Sequence, residues 1–548
     1  MPGVMKVKLL AAAFALLPSA LAAQPAQTPP KLIVVVSVDQ FSGDLFTEYR
    51  QYFTGGLRRL SVGAVFPMGY QSHAATETCP GHSTILTGAR PARTGIVAND
   101  WFDLSVPRAD KMVYCSEDER VPGSDHDNNY TVSAMHLRVP ALGDLMRRHD
   151  PRSRAVVVAG KDRAAIMMGG HNPTQRWFRS GTRFVSDLAT PAPPAVEAAT
   201  RDLQRRLATP TPPRALPAVC ESRSRAVPVG PSGRTVGAGR FGHAAGEQSR
   251  MLDSPEYDEV VLGLAQGMRD EMRLGQGEGT DLLVIGLSAT DYVGHRFGSQ
   301  GSEMCIQLLA LDRILGDFFA RLDTQGIDYV IALTADHGAQ DLPERSREAG
   351  IDDAERADPA LRSRNMGPVL GQRLGLPGPL IFGDSVFGDF YIDRALPEAD
   401  RRRVLDEAVR AYRAHRQVFA VFTRDEIMAT PSPSRPPDNW TLLERVRASY
   451  DAERSGDFYV VLRPRVTTLT TVGATGSVAT HGSVWDYDRR VPILFWRRGM
   501  RAFEQPLAVE TVDILPTLAG LIDLPLAPDS IDGRCLDLDA GPETTCPQ

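Results

Sequence analysis

Six acidic and histidine side chains lie next to short apolar runs and could together bind metal ions. They are Asp39, Asp291, His295, Asp336, His337 and His481. One Asp after a strand is commonly only a turn or cap residue, but carboxylates mixed with imidazoles form a zinc ligand set. Asp291 and His295 are four positions apart, so one helical turn can bring both to the same ion. The six side chains suffice for two ions.

Thr78 is the candidate nucleophile. It stands before Cys79 and Pro80, and a proline at the first helical position would place Thr78 at a helix N-terminus. Free backbone N–H groups there favour anions, although a hydroxyl at this place can also be only a cap. Beside two metal ions the hydroxyl becomes an activated nucleophile, because a cation lowers the cost of forming the alkoxide. We expect Cys79 to be a packing residue.

The apolar runs predict the elements that would position these groups. Each run is rich in Val, Ile and Leu, as is typical of parallel strands buried on both faces. They are Leu32 to Val38, Ala155 to Ala159, Leu282 to Leu287, Tyr329 to Leu333 and Val491 to Trp496. Helical patterns at Met304 to Leu322 and Val512 to Leu521 fall between or after them. This alternation predicts an α/β fold, a doubly wound and mostly parallel sheet flanked by helices, with ligands beyond the carboxyl ends of its strands.

The chain divides further by composition. Residues 1–22 have a short basic region, an apolar run and a small-residue cleavage signal, which predicts a secretory signal peptide and a periplasmic or secreted protein. Residues 23–30 look like a lead-in, and residues 31–548 form the α/β domain. We expect a loop insertion at 176–250, with a surface loop or linker at 188–217, and an inserted cap subdomain at about 340–475.

Bulk composition excludes several partners. The formal net charge is −6, which gives no general attraction to nucleic acid or anionic membrane, and no later run is long enough to span a bilayer. We expect a monomer with no nucleic-acid-binding surface and no membrane attachment after cleavage of the signal peptide. Six cysteines permit three disulfides, of which we predict only Cys535 with Cys546, because they are close in sequence.

Seven motifs in order resemble the alkaline phosphatase superfamily, and most closely its zinc-dependent bacterial branch with a threonine nucleophile, the phosphate-irrepressible periplasmic phosphatases. The motifs are Val38-Asp39, Thr78-Cys79-Pro80-Gly81-His82, Gly95 to Trp101, Lys161-Asp162-Arg163, Asp291-Tyr292-Val293-Gly294-His295, Ala335-Asp336-His337-Gly338 and Thr480-His481-Gly482.

The resemblance implies a role for each residue. It implies one zinc ion held by Asp291, His295 and His481, which stabilises the leaving oxygen. It implies a second held by Asp39, Asp336 and His337, which also contacts Thr78 and activates it. Thr78 would form a phosphothreonine intermediate, and Asn99, Lys161 and Arg163 would contact the phosphate oxygens. Manganese or iron could occupy similar ligands. We expect His82 to pack or to support the ligands.

Other activities stay open within this resemblance. Sulfatases use a modified Cys or Ser as the first residue of a Cys-x-Pro-Ser-Arg type motif. Here the residue two positions before the proline is Thr78, and Cys79 lies one position too late. Phosphodiesterases and nucleotide pyrophosphatases share the Thr and Asn but lack the Lys-x-Arg pair at this place. A monoester dianion carries one more negative charge than a diester, so Lys161 and Arg163 favour a phosphomonoesterase, with diesters as secondary substrates. A catalytically inactive exported metal-binding protein is the remote alternative.

Overall fold

One large sheet forms the centre of the molecule. A computed structural model describes residue 3 and residues 28–547, so the predicted signal peptide and most of the lead-in lie outside the described residues. The sheet has ten strands. In spatial order, nine of them are Phe503–Glu504, Ala64–Tyr70, Arg490–Arg497, Tyr329–Thr334, Leu32–Val38, Asp281–Leu287, Ala155–Ala159, Gln175–Ser180 and Arg183–Val185, and the tenth, Val509–Glu510, pairs with Ala64–Tyr70.

The sheet is buried on both faces. Alternate residues of Leu32–Val38 belong to two different hydrophobic clusters, with Val34 and Val36 in one and Ile33 and Val35 in the other. Helices Pro255–Glu271 and Ser302–Thr324 cover the first face. This explains why the strand sequences are continuously apolar. The predicted α/β architecture is confirmed.

The α-helices begin and end as follows: Gly43–Tyr49, Gly56–Leu60, Thr78–Ile85, Pro91–Thr94, Leu142–His149, Asp162–Gly169, Pro194–Ala208, Gln248–Leu252, Pro255–Glu271, Ala289–Phe297, Ser302–Thr324, Pro343–Glu348, Ser363–Leu374, Glu398–Arg413, Arg424–Met428, Leu442–Ser449, Asp486–Arg489 and Ile514–Gly520. Among the described residues, none of them combines the length and the apolar character that crossing a bilayer requires.

The direction of the last long strand differs from the prediction. Arg490–Arg497 pairs antiparallel with Tyr329–Thr334 and with Ala64–Tyr70, whereas the run Val491 to Trp496 was expected to be parallel. An apolar run indicates burial on both faces but carries no information on direction. Because this strand runs in the opposite direction, the residues that precede it lie at the edge where the parallel strands end. His481 is one of these preceding residues.

Two connecting regions also differ from the prediction. The Pro-, Ala- and Thr-rich segment at 188–217 contains the 15-residue helix Pro194–Ala208, so it is not a simple loop. The expected insertion at 176–250 begins inside the strand Gln175–Ser180, which belongs to the central sheet. Prolines at 193 and 194 fit the start of this helix, because the first turn needs no intrahelical N–H donors.

Residues between 381 and 462 build a second, separate sheet. Its antiparallel strands are, in spatial order, Ile381–Phe382, Gly388–Ile392, Phe458–Leu462 and Val418–Thr423. Its hydrophobic cluster, which includes Phe390, Tyr412 and Phe458, is separate from those of the central sheet. The boundaries of a cap at about 340–475 stay a prediction.

Three short strand pairs complete the sheets. They are Asp100–Phe102 with Met112–Tyr114, Val227–Val229 with Arg234–Val236, and Glu355–Arg356 with Val466–Thr467.

Candidate active site

The first candidate metal group combines one helix and one loop. Helix Ala289–Phe297 follows the strand Asp281–Leu287 and carries Asp291 and His295 one turn apart. The Nε2 atoms of His295 and His481 lie 3.3 and 3.4 Å from Asp291 Oδ1. The two Nε2 atoms lie 3.2 Å apart. These three side chains therefore converge on one point, as the sequence predicts.

The second group collects at the ends of two neighbouring strands. Asp39 directly follows Leu32–Val38, and Asp336 follows Tyr329–Thr334. His337 Nε2 lies 3.2 Å from Asp336 Oδ2, and its ring stacks on that of His481 at 3.5 Å between centroids. His82 also enters this group: its Nε2 lies 3.3 Å from Asp39 Oδ1, and its Nδ1 lies 3.3 Å from Asp336 Oδ2.

The donor atoms fit divalent cations. The ring Nδ1 atoms of His295, His481 and His337 lie 2.9, 2.9 and 3.0 Å from the backbone carbonyl oxygens of Ala479, Thr76 and Gly338. When Nδ1 donates to such a carbonyl, Nε2 is left as a lone-pair donor, which is how metal-binding histidines are held. Among the described residues, several buried donors have no hydrogen-bond partner: Asp39 Oδ1, His82 Nε2, Asp291 Oδ1, Asp336 Oδ2 and His337 Nε2.

Lys161 joins the two groups. Its Nζ lies 2.5 Å from Asp291 Oδ2 and 3.0 Å from Asp39 Oδ2, and the side chain is buried. Burial alone would raise the pKa of Asp291, but Lys161 and His295 hold it well below its ordinary value. Burial would likewise lower the pKa of His337, but the Asp336 carboxylate raises it to about 9. The site is thus a buried concentration of negative charge that attracts cations.

Thr78 lies at the first position of the helix Thr78–Ile85 and lines a cavity of about 260 Å³. The helix begins two residues before Pro80, which therefore occupies the third position rather than the predicted first. Proline is tolerated there because first-turn N–H groups have no intrahelical acceptor. The strand Ala64–Tyr70, which precedes this helix, runs parallel to Tyr329–Thr334 across the intervening strand, so Thr78 reaches the same edge as Asp336.

Asn99 is fixed beside Thr78 by its chain neighbours. Its Oδ1 accepts a hydrogen bond of 2.8 Å from the Cys79 N–H, and its own N–H donates to Glu77 Oε2 at 2.7 Å. Its carbonyl oxygen accepts from the Cys115 N–H at 2.8 Å. With Oδ1 engaged, the amide NH₂ is the group of Asn99 left to donate into the cavity.

Arg163 enters the same cavity from the helix Asp162–Gly169. Its guanidinium donates to the Tyr114 hydroxyl at 3.4 Å, and that hydroxyl donates to Asp162 Oδ1 at 2.9 Å. The guanidinium Nε has no partner among the described residues. A charged, incompletely paired arginine in the cavity that Thr78 lines suits an anionic ligand.

The three disulfides are Cys79–Cys115, Cys220–Cys305 and Cys535–Cys546. The predicted pair Cys535–Cys546 is confirmed. Cys79 was expected to be a packing residue, and this is wrong, because Cys115 in the neighbouring hairpin is its covalent partner. The partly buried Glu77 beside Asn99 was not predicted. His82 was expected to pack or to support the ligands, and it contacts both carboxylates. The spacing of His82 four residues after Thr78 was the available signal.

Comparisons with known proteins agree on one family. A protein-family model described as "Type I phosphodiesterase / nucleotide pyrophosphatase" matches residues 33–484. The chain is 55% identical over 524 residues to alkaline phosphatase PhoK of a Sphingomonas species, covering 95% of this chain and 93% of that protein. It is 47% identical over 521 residues to alkaline phosphatase PhoD of Zymomonas mobilis, covering 94% and 89%.

A solved structure has the same fold. The crystal structure of wild-type alkaline phosphatase PafA aligns with a TM-score of 0.80 at 26% identity, covering 93% of this chain and 99% of that chain.

Proposed function

The chain belongs to the type I phosphodiesterase and nucleotide pyrophosphatase family of the alkaline phosphatase superfamily, and we propose that it is an alkaline phosphatase. It hydrolyses phosphate monoesters and releases inorganic phosphate. The high identity to two alkaline phosphatases over nearly the whole chain carries this conclusion. The chemistry beside Thr78 supports it: Asn99 and Arg163 line the cavity with Thr78 and supply an amide donor and a cation. Lys161 adds a second cation between Asp39 and Asp291.

The activity depends on divalent metal ions, and we propose two zinc ions. Asp291, His295 and His481 would hold one, and Asp39, Asp336, His337 and the Thr78 hydroxyl would hold the other. The buried, unpartnered donor atoms in both groups support this assignment. By distance alone His82, rather than His337, completes the second group with Asp39 and Asp336, whereas the resemblance of the motifs favours His337. When bound, such ions neutralise negative charge on the attacking and leaving oxygens.

The protein's own residues then divide the remaining tasks. Thr78 Oγ1 forms a bond to phosphorus while the bond from phosphorus to the alcohol oxygen breaks, which gives a phosphothreonine. Water subsequently cleaves this ester and restores the Thr78 hydroxyl. The Asn99 amide and the Arg163 guanidinium donate to the non-bridging oxygens, and Lys161 adds positive charge between the two acidic groups. The burial of Thr78 excludes bulk water during the first step.

A phosphodiesterase is the second candidate, because the matching family model carries that description. Lys161 and Arg163 favour the monoester, whose phosphoryl group carries one more negative charge. The sulfatase alternative lacks support, since Cys79 is bonded to Cys115 and is not free for modification. We also propose export to the periplasm or medium, as three disulfides are typical of oxidising compartments.

The deciding experiment compares kcat/KM for a phosphate monoester, a phosphate diester and a sulfate ester on one zinc-loaded preparation. All three esters should share one leaving group, so that only the transferred group differs. We expect the monoester to have the highest kcat/KM, by a factor of about 10 or more over the diester. A preference for the diester would instead establish the phosphodiesterase.

A further inference from the structure

The active-site cavity has a second wall that none of the phosphate-binding residues provides. Thr78, Asn99 and Arg163 line one part of it. The segment from Asp384 to Tyr391, which belongs to the smaller sheet and its connecting loop, lines another part. A substrate with its phosphoryl group at Thr78 must place its alcohol part against this second wall.

Three carboxyl groups project into this part of the cavity: Asp100, Asp384 and Asp389. None of them forms an ion pair among the described residues, whereas most acidic side chains of the central site do. Asp389 Oδ1 accepts a hydrogen bond of 2.8 Å from the Gly456 N–H, so it is held in position. Asp100 belongs to the short strand Asp100–Phe102, which immediately follows Asn99.

The charge of Asp384 acts on Asp100, and the charge of Glu77 acts on both Asp100 and Asp389. Burial, followed by the nearby Asp384 and Glu77 charges, raises the pKa of Asp100 to about 7. Burial and Glu77 raise the pKa of Asp389 to about 7. Asp384 is exposed to solvent, and its charge contributes to the raised pKa of Asp100. Asp100 and Asp389 are partly desolvated and have no ion-pair partner among the described residues. A negatively charged group of a substrate placed beside them would therefore be destabilised.

Few positively charged side chains neutralise the three carboxyl groups of this wall. His126 acts on both Asp100 and Asp384, but it is already paired with Asp110, at 2.9 Å from Nδ1 to Oδ2. Arg362 acts on Asp384, and Arg163, which lowers the pKa of Asp100, is the residue proposed to bind the phosphoryl group.

Aromatic rings line the same part of the cavity as these carboxyl groups. Phe102 packs against Phe382 and Tyr391, each at 5.7 Å between ring centroids. Trp101 and Phe387 also line the cavity. The second wall thus offers apolar surface and negative charge together, a combination that suits alcohols with apolar or cationic parts.

We propose that the wall formed by Asp100, Asp384, Asp389 and the neighbouring aromatic rings is the leaving-group subsite. It selects phosphate monoesters whose alcohol part is uncharged or cationic over those whose alcohol carries a further anionic group. This inference rests on the proposed monoesterase function. Nucleoside di- and triphosphates, bisphosphates and phosphorylated carboxylic acids are therefore poor substrates.

Three phosphate esters of three-carbon alcohols test the proposal, because the phosphate ester bond that breaks is nearly the same in each. The substrates are 3-hydroxypropyl phosphate, 3-aminopropyl phosphate and 3-phosphooxypropionate, assayed at about pH 9, where the three carboxyl groups are ionised. We expect kcat/KM for the anionic ester to be lower than that for the neutral ester by about tenfold or more. The cationic ester should equal or exceed the neutral one, and added salt should reduce the contrast.

Substitutions of the aspartates then test whether this wall causes the difference in kcat/KM between the esters. Asp384→Asn and Asp389→Asn should each raise the ratio of kcat/KM for the anionic ester to that for the neutral ester by about threefold or more. Asp406→Asn is the matched control: it removes the same charge from an exposed helix position of the same region and should leave the ratio unchanged. Equal kcat/KM for all three esters, or a ratio that Asp384→Asn and Asp389→Asn do not change, would overturn the proposal. Hydrolysis of none of the esters would instead contradict the proposed function.

Discussion

Gly81, in the first turn of the Thr78 helix, lies directly against the backbone of Asp336. A Cβ atom on Gly81 would overlap the Asp336 carbonyl oxygen, and the atoms in its way are backbone atoms that cannot move like a side chain. The amide of Gln71 bridges the same two segments, since it donates to the Ala335 carbonyl at 3.0 Å and to that of Gly81 at 3.3 Å. The position of the proposed nucleophile relative to a proposed ligand therefore depends on a residue without a side chain.

We predict that Gly81→Ala displaces the Thr78 helix from Asp336 and lowers kcat/KM for a phosphate monoester by about 100-fold, as misplacement by about 1 Å commonly does. Gly263→Ala is the control, because Gly263 is helical and a Cβ there meets open space. Circular dichroism and bound zinc should be compared for both variants. An active Gly81→Ala enzyme would show that the helix can shift without loss of the catalytic geometry.

Thr78→Ala should abolish turnover of phosphate esters while the protein still binds zinc. The hydroxyl is the only group of Thr78 that the proposed reaction uses, and the remaining ligands of each ion are unchanged. The loss in kcat should reach about 1,000-fold or more. Metal content by elemental analysis and trapping of phosphoprotein after brief exposure to substrate provide the two measurements. Retained steady-state activity would remove Thr78 as the nucleophile.

Both His337 and His82 lie beside Asp336, and substitution distinguishes which of them is the histidine ligand of the second metal ion. We predict that His337→Ala loses one of two zinc ions, whereas His82→Ala keeps both but binds one about 10- to 100-fold more weakly, as loss of a supporting residue does. His82 contacts both Asp39 and Asp336, and its Nδ1 lies 2.9 Å from the Thr78 carbonyl oxygen. Titration of chelator-treated protein with zinc measures both stoichiometry and affinity. Loss of an ion in His82→Ala alone would exchange the two assignments.

The sequence predicts the strand-end residues well because their placement follows from the parallel sheet itself. Apolar runs buried on both faces place Asp39, Asp291 and Asp336 at one edge of the sheet, independently of the segments that connect the strands. The direction of Arg490–Arg497, the Cys79–Cys115 bond and the wall of Asp384 and Asp389 could not be predicted in this way. Each depends on contacts between segments far apart in the chain, and no local periodicity encodes such contacts.

Lys161 and Arg163 should distinguish monoesters from diesters. We predict that the double variant Lys161→Ala with Arg163→Ala lowers kcat/KM for a monoester by at least about tenfold more than for a diester with the same leaving group. The monoester carries one more negative charge than the diester, so it loses more electrostatic stabilisation when both cations are removed. Arg402→Ala, an exposed helical substitution, serves as the control. Equal losses for the two esters would refute this basis for discrimination.

The Cys79–Cys115 disulfide should matter to catalysis as well as to stability. Its two cysteines donate their backbone N–H groups to the two oxygens of Asn99, each at 2.8 Å, so the bond holds the Asn99 loop against the residue after Thr78. We predict that the double variant Cys79→Ala with Cys115→Ala raises KM and lowers kcat/KM for a monoester by about tenfold. It should also lower the free energy of unfolding by about 3 to 4 kcal/mol.

Cys535→Ala with Cys546→Ala provides the comparison, because this pair joins residues in the C-terminal segment and none of the cavity-lining residues. That variant should lose about 2 to 3 kcal/mol of stability and keep its kcat/KM. Kinetics measured well below each unfolding temperature separate the two effects. If both variants lost stability alone, the Cys79–Cys115 bond would be a structural crosslink with no part in positioning Asn99.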